Sequence, residues 1–285
     1  MIAARVLVTG VGGPAGRSLS KQLQQRCIDV VAADMAAIAM PGAHRVPPAT
    51  DPSFAAELAA LAHRERADLV VPTVTEELGV LAPLGQWVGP PIVLAPWTAV
   101  RLAADKYLTC IALEQAGITV PRFALPSMSG RMRFGGCCLS KPRMSRGSRG
   151  ITVHAIQDGI PHLDDRWLLQ EYLPGREYAP NVYLHSDPER DVVIVLEKIG
   201  RSHGDYGNAT GVVRRHNADV ATLARAAARA LGLRGPADID IRCSVDGTPA
   251  VLEINARFGA NSAHAPEITD ALLAEWLPHL GGAVP

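Results

Sequence analysis

ADIDIRCSVDGTPAVLEINAR, residues 237–257, reads as two strands joined by a tight turn, and it carries the densest chemistry in the chain. Ala237 to Cys243 and Ala250 to Ile254 are the strands, and Asp246-Gly247 between them is a dipeptide that accepts the left-handed backbone of a hairpin. Side chains alternate between the faces of a strand. Glu253 and Asn255 therefore leave the same face, and Asp240 can sit across from them. The opposite alternates, Ile239, Ile241 and Ile254, favour burial, so the acidic face is flanked by core and its carboxylates need partners. Two carboxylates and an amide oxygen are hard donors that suit Mg²⁺, which keeps waters and takes further ligands from nucleotide phosphates. A solvated polar face is the plain alternative.

The chain before this hairpin falls into two parts. Residues 5–9 (RVLVT) read as a buried strand, followed by a glycine-rich turn from Gly10 to Gly16 and a helix from Ser18 to Gln25. Ile28 to Ala33 is a second strand ending at Asp34. Asp51-Pro52 looks like an aspartate cap with proline at the first helical position, and Phe54, Leu58, Leu61 and Ala62 give the helix an apolar stripe. Leu69 to Pro72 and Ile92 to Leu94 complete an alternation of strand and helix that implies a parallel α/β sheet. Thr98 can then cap a helix running to about Ala116, stopped by Gly117. Beyond it the character changes. Arg131 to Arg149 is an arginine-rich, glycine-rich segment, followed by strands at Leu168 to Glu171 and Val192 to Lys198. Asn217 or Asp219 caps a helix with Val220, Leu223, Ala224, Ala227 and Leu231 on one face, ended by Gly232. A final amphipathic helix carries Ile268, Leu272, Leu273 and Trp276.

Composition narrows the function classes. With 285 residues, 48% hydrophobic, and a formal net charge of zero, the chain can bury a core of about two domains, and it lacks the basic excess of a dedicated nucleic-acid binder. The five cysteines include no C-x-x-C pair, which argues against zinc or a disulfide framework and for a reducing cytoplasm. The N-terminus runs straight into a strand pattern rather than a signal peptide, and no stretch reaches the roughly 18 apolar residues of a membrane span.

Two glycine loops compete for a nucleotide. Gly10-x-Gly12-x-x-Ala15 after a strand, with Asp34 ending the next, fits the dinucleotide fingerprint and supports an NAD-dependent oxidoreductase; equally, its glycines simply permit a tight turn. Lys141-Pro142 stands before Ser145-Arg-Gly-Ser-Arg-Gly150, whose backbone N–H groups and cations suit phosphate oxygens, with a basic surface loop as the alternative. Gln170-Glu171-Tyr172-Leu173, with Gly175 and Glu177, follows as a strand-plus-acid pattern suited to an adenine edge and a ribose diol.

The order and spacing of these pieces resemble the ATP-grasp superfamily: Asp105-Lys106, Gly117-Ile118-x-x-Pro121, Lys141-Pro142 with its loop, Gln170 to Glu177, Asp240, and Glu253-x-Asn255-x-Arg257. The likeness spans essentially the whole chain and is nearest to the branch of the carbamoyl-phosphate synthetase large chain and the ligase of pyrrolysine biosynthesis. It implies an α/β protein with a Rossmann-like pre-ATP-grasp domain (1–97) that need not bind NAD. An ATP-grasp domain of two α+β subdomains (98–167 and 168–285) follows it. By resemblance, Lys106 and Lys141 contact ATP phosphates and the adenine side, and Ser145, Gly147, Ser148 and Gly150 belong to the loop that closes over the phosphates. Gln170, Glu171 and Leu173 line the adenine hinge, mainly through backbone groups, and Glu177 holds the ribose. Asp240, Glu253 and Asn255 bind two Mg²⁺ ions. Arg257 touches the transferred phosphate or the substrate carboxylate, and Lys198 and Arg201 lie where another phosphate-contacting cation is placed. Ala256 stands where the family usually has proline. The implied activity is ligation of a small-molecule carboxylate and amine through an acyl phosphate, with a non-catalytic ATP-binding module as a further alternative and a homodimer left open. His203, His216 and His264 read as solvated or substrate-side rather than as metal ligands. The polar stretches from Arg201 to Gly211 and from Phe258 to Pro266 are expected to wall the substrate.

Overall fold

Val6, Leu7 and Val8 are completely buried, as a strand covered on both faces requires. They lie in β1 (Arg5–Val8), beside β2 (Asp29–Asp34) on one edge and β4 (Leu69–Val71) on the other, with the short β3 (His44–Arg45) outermost. All three pairings are parallel. The computed structural model describes residues 4–278, apart from 85–86, 132–133, 146, 160–161 and 204–205. Helices α1 (Pro14–Gln25), α2 (Phe54–Arg64) and α3 (Thr75–Leu81) connect these strands or follow them. The expected strand at Ile92 to Leu94 is reduced to a single bridge from Ile92 to Val70. The start of α2 also differs from expectation. The Asp51 carboxylate binds the backbone and hydroxyl of Ser53 in a local turn, and the helix begins two residues past Pro52, at Phe54.

The helix expected from Thr98 to Ala116 is broken into α4 (Trp97–Ala104) and α5 (Lys106–Gln115). Asp105 causes the break. Its backbone is extended, and its carboxylate caps α5 by accepting from the N–H groups of Tyr107 and Leu108. An antiparallel sheet follows, in the order β5 (Phe123–Ala124), β8 (Trp167–Glu171), β6 (Cys137–Pro142), β7 (Thr152–Ala155). Because β8 pairs with both β5 and β6, this sheet runs on to Glu171; a division at residue 168 would cut the strand from its partners.

The largest sheet holds the hairpin. Its strands are β9 (Glu177–Tyr178), β10 (Asn181–Leu184), β11 (Val192–Ile194), β12 (Leu196–His203), β13 (Tyr206–Arg214), β14 (Gly235–Cys243) and β15 (Pro249–Asn255), all paired antiparallel. The single strand expected at Val192 to Lys198 is two, β11 and β12. β14 is central, with β15 along one edge and β10 and then β9 along the other. The side carrying Val182, Ile239, Ile241 and Ile254 packs against α4 and α6 (Ala218–Ala230), the latter capped by Asn217 as expected. The last helix, α7 (Pro266–Trp276), packs on β10, β11 and α1 and so ties this sheet to the first unit. Among the described residues no helix is long and apolar enough to cross a membrane.

Candidate active site

The β14–β15 register sets Asp240 directly opposite Glu253 and Asp238 opposite Asn255, so the hairpin brings the predicted acids together. β9 adds Glu177 opposite Arg242, and β12 adds Lys198 beside them. One face of the sheet thus gathers acids and bases in alternation. The Lys198 ammonium lies 2.6 Å from Glu177 Oε1 and 2.7 Å from Asp240 Oδ1. Burial alone would lower its pKa, but the Asp240 and Glu177 carboxylates outweigh that and raise it, so Lys198 stays charged. Arg201 Nε donates to Glu177 Oε2 at 2.9 Å, and Arg242 lies 3.5 Å from the same oxygen and 4.7 Å from the centre of the Tyr172 ring.

Helix α5 and strand β6 supply two more lysines. Lys106, the first residue of α5, lies 3.5 Å from Glu253 Oε2 and donates to the Ser145 carbonyl at 2.8 Å. Lys141 is 3% exposed and donates to the Leu252 carbonyl at 3.1 Å. Its pKa is lowered, chiefly by burial, although Glu253 opposes this. The two facing acids diverge for the same reasons. Burial raises Asp240 despite Lys198. Burial would also raise Glu253, but Lys106, Lys141 and Lys198 together pull it down, which marks Glu253 as the anionic centre of the ring.

Two cavities meet at this pair. A cavity of about 480 Å³ is walled on one side by Gly10, Gly13 to Gly16 and Thr73 to Thr75, the loops after β1 and β4, and on the other by Asp238, Asn255, Arg257, Ala260 and Asn261. A narrower one is walled by Lys106, Leu139, Lys141, Ser145, Gln170, Glu177 and Leu252. Ser148, Lys198, Asp240 and Glu253 line both. The loop over the junction is held by Lys106 on Ser145 and by Asn208, whose Nδ2 donates to the Gly147 carbonyl at 3.3 Å and whose Oδ1 accepts from the Ser148 hydroxyl at 3.3 Å. Gly147, Ser148 and Gly150 all have left-handed backbones, at φ 64, 57 and 77. Arg146 lies outside the described residues.

Other predicted positions fare differently. Arg257 reaches the large cavity, donating from Nη1 to the Phe258 carbonyl at 2.8 Å and from Nε to Thr75 Oγ1 at 3.4 Å, with Asp238 Oδ2 at 3.5 Å. Gln170 is fully buried in the wall of the narrower cavity. Glu171 and Leu173 are not among the lining residues of either cavity. The Glu171 carboxylate turns instead to Arg122, whose hydrogen bonds hold it below the usual carboxylate range. Gly150 packs against Pro142 rather than lining a cavity. Of the expected substrate walls, Gly207, Asn208, Ala209, Ala260 and Asn261 do line the cavities. His216 and His264 are exposed, and nothing is described of the His203 side chain.

Asp34, the acid that favours a dinucleotide, is already engaged. Its Oδ2 accepts from Gly12 N at 2.8 Å and its Oδ1 from Ala36 N at 2.9 Å, so the carboxylate braces its own loop. The sequence reading missed Asp238, Arg242, and Thr73 to Thr75. The alternation Asp238-Ile-Asp240 carried a signal for the first; the others depend on pairings far apart in the chain.

As donors, Asp240 and Glu253 offer hard oxygens across one strand pair, with Asn255 next along β15. Among the described residues no group of three or more His, Cys, Asp or Glu is arranged to hold a metal ion. The set therefore suits a cation that brings waters and phosphate oxygens with it, as Mg²⁺ does, rather than one caged by protein alone.

The ATP-grasp domain family matches residues 103–261. A D-alanine–D-alanine ligase of Cupriavidus taiwanensis is 25% identical over 86% of this chain and 77% of its own length. Among solved structures, the L-amino acid ligase of Bacillus licheniformis superposes with a TM-score of 0.73 at 17% identity, covering 96% of this chain and 74% of that one. The N5-carboxyaminoimidazole synthase of Aspergillus clavatus, in complex with ADP and its ribonucleotide, superposes at 0.72 with 18% identity, covering 99% and 78%.

Proposed function

We infer that this chain, which belongs to the ATP-grasp family, is an ATP-dependent carboxylate–amine ligase that activates a small-molecule carboxylate as an acyl phosphate. The observation that carries this reading is the Asp240–Glu253 pair, set where two cavities meet and ringed by Lys106, Lys141 and Lys198. In this reading the parallel sheet of β1–β4 is the Rossmann-like pre-ATP-grasp domain. The β5–β8 and β9–β15 sheets are the two α+β subdomains that clasp the nucleotide between them, and the cytoplasm is the compartment.

The narrower cavity takes the nucleotide and the larger one the substrates. A substrate carboxylate oxygen attacks the γ-phosphorus of ATP, the bond to the bridging oxygen breaks, and ADP leaves with that electron pair. An amine then attacks the acyl carbon, inorganic phosphate departs, and the amine loses a proton to the departing phosphate or to water. No protein nucleophile is needed; the work is electrostatic and positional. Lys106, Lys141 and Lys198 face the phosphates, Arg257 faces the substrate carboxylate, and the loop from Ser145 to Gly150 keeps water from the acyl phosphate. Glu177 keeps acceptor capacity beside Lys198 on Oε1 and Arg201 on Oε2, and a ribose hydroxyl would donate to it there. Asp240, Glu253 and Asn255 would hold Mg²⁺, two ions by family resemblance, which when bound neutralises the charge brought together by phosphate and carboxylate.

ADP release measured over a panel of carboxylic acids and amines, singly and in pairs, tests this. Release that needs one compound of each kind is expected. Release with a carboxylic acid that carries no amine, alone, would make the chain a kinase; release with a single amino acid is settled by its product, a linear dimer for a ligase and a ring for a cyclo-ligase; binding of Mg·ATP without release under any pair would make it a non-catalytic module.

A further inference from the structure

Two walls of the larger cavity come from opposite ends of the chain, and a line of polar contacts joins them. One wall is the first turn of α1, Pro14 to Gly16; the other includes Ala260 and Asn261. Ser18 lies one turn along α1 from Pro14, and Ser262 is the residue after Asn261. The Ser262 hydroxyl donates to the Ser18 hydroxyl at 3.0 Å, across 244 residues of sequence. Gln22 follows one turn further on the same face of α1. Its Nε2 donates to Ser18 Oγ and to the Ser262 carbonyl, both at 3.1 Å, and its Oε1 accepts from the Thr269 hydroxyl at 2.9 Å. After another turn Arg26 completes the line, with Nε on Asp270 Oδ1 at 2.7 Å and Nη2 on the Pro266 carbonyl at 3.2 Å.

Gln22 is 5% exposed, and Ser262 and Thr269 are completely buried. Gln22 spends both amide protons and one acceptor site, so neither end of its amide is left unpaired. Around it, Leu19 and Leu23 of α1 share a core with Ile268 and Leu272 of α7. That apolar contact supplies non-directional attraction and tolerates sliding. The hydrogen bonds do not, because they weaken steeply with angle and because each break strands a buried donor or acceptor. A satisfied polar network of this kind fixes one arrangement of the parts it joins.

We propose that Ser18, Gln22, Ser262 and Thr269 are positioning residues that set the gap between the α1 wall and the Ala260–Asn261 wall, and thereby the fit of the substrates. This rests on the reading of the larger cavity as the substrate site. None of the four lines either cavity, so they act only through the walls they join. The effect on substrate must then fade along the line, from the Ser18–Ser262 contact beside the walls to Arg26, which holds the same interface two turns beyond Ser18.

Three variants test this in ADP release with the acid–amine pair that performs best in the panel above. Ser262→Ala should raise KM for one or both compounds about three- to tenfold, with kcat within about twofold of the parent. Gln22→Met, which keeps length and breaks three hydrogen bonds, should raise it by roughly tenfold or more. Arg26→Ala should lower the melting temperature and leave KM alone, and all three should bind Mg·ATP as the parent does. A purely structural seam would give the three variants one signature, lower stability at constant KM. Parental KM values in Ser262→Ala, or an equal rise in Arg26→Ala, overturn the proposal. Hydrogen exchange needs no substrate: Ser262→Ala should speed exchange by a similar factor in peptides covering 14–22 and 258–265, since both walls lose one shared bond. Acceleration in one peptide alone, or in neither, overturns the joining of the walls. Should no acid–amine pair support ADP release, the ligase reading fails instead, and exchange still decides the seam.

Discussion

The chain has two glycine loops, and they are built differently. Gly10 to Gly16 is braced from within its own unit. Asp34 binds the Gly12 amide, Arg17 binds the Gly12 carbonyl, and Thr9, just before the loop, donates to the buried Glu77. Gly16 is pressed so closely on the loop that an added Cβ would lie 2.4 Å from the Gly10 carbonyl oxygen. Among the described residues, the local support of Ser145 to Gly150 is slight, a 3.3 Å hydrogen bond from the Ser145 hydroxyl to the Pro142 carbonyl and the contact of Gly150 with Pro142. The loop is held by Lys106 and Asn208, from two other elements, and an added Cβ at Gly147 meets nothing nearer than 3.8 Å. At Gly16 glycine makes room for close packing; at Gly147 it supplies a left-handed backbone above a cavity with nothing pressed against it, whereas Gly10, left-handed at φ 62, is also tightly packed. A glycine count cannot separate these uses, while the partners of each loop do.

The largest effect should come from what the second loop covers. Glu253→Gln removes the charge on which Lys106, Lys141 and Lys198 converge, and ADP release should fall by roughly a thousandfold while the circular dichroism spectrum is unchanged. Turnover equal to the parent would remove Glu253 from the site and leave the second loop guarding nothing.

Next in size is a pH effect confined to the first loop. Glu77 is 7% exposed, and burial raises its pKa to about 7 from the 4.5 of an ordinary glutamate, against the hydrogen bonds from Thr9 and the Val74 backbone. Because the folded value lies above the unfolded one, the associated stability is complete below about pH 4.5 and is lost as pH rises through 7. Between pH 5 and 8 this amounts to about 2–3 kcal/mol. Glu77→Gln should lack that part of the slope in urea unfolding. If the parent and the variant share one pH profile, the brace under the first loop is not ionising.

A smaller contrast separates the loops directly. Gly16→Ala should cost about 2–3 kcal/mol, since the new methyl meets backbone. Gly147→Ala should cost about 1 kcal/mol, because only the left-handed conformation opposes it. Equal costs would erase the distinction drawn between the loops.

Legibility followed the distance over which each signal acts. The acidic face of β14–β15 was readable because residue alternation and an Asp-Gly turn operate within 21 residues, 237–257, and Asp240 does face Glu253. The parallel sheet was readable from buried runs such as Val6 to Val8. The split at Asp105 was not, because the residues from 98 to 116 suit one helix and the break depends on that carboxylate turning to cap the second half. Nor was the side-chain role of Glu171, an acid in the expected hinge whose partner, Arg122, lies 49 residues away, just before β5. Asp34 shows the reverse case: a motif position is filled, as the dinucleotide alternative asks, but by a side chain its own loop consumes.

The smallest expected effect concerns the latch. Asn208 is joined to the second loop by two hydrogen bonds of 3.3 Å, long enough to be weak, and both are replaceable by water. Its removal should hardly touch global stability but should shift the loop toward open states. Trypsin is the appropriate probe, because Arg149 lies in the loop beside the large cavity and Arg146 is close by in sequence. Asn208→Ala should be cleaved at these sites several times faster than the parent, the change expected for loss of about 1 kcal/mol of local closure. Mg·ATP should then protect both proteins to the same final level, since phosphate oxygens would replace Asn208 as partners of the loop, and Mg·ADP should protect less. Cleavage of Asn208→Ala at the parental rate would mean that Lys106 alone holds the loop. Full protection by Mg·ADP would mean that it closes on the nucleotide without reference to the γ-phosphate, and the second loop would then be no more a phosphate lid than the first.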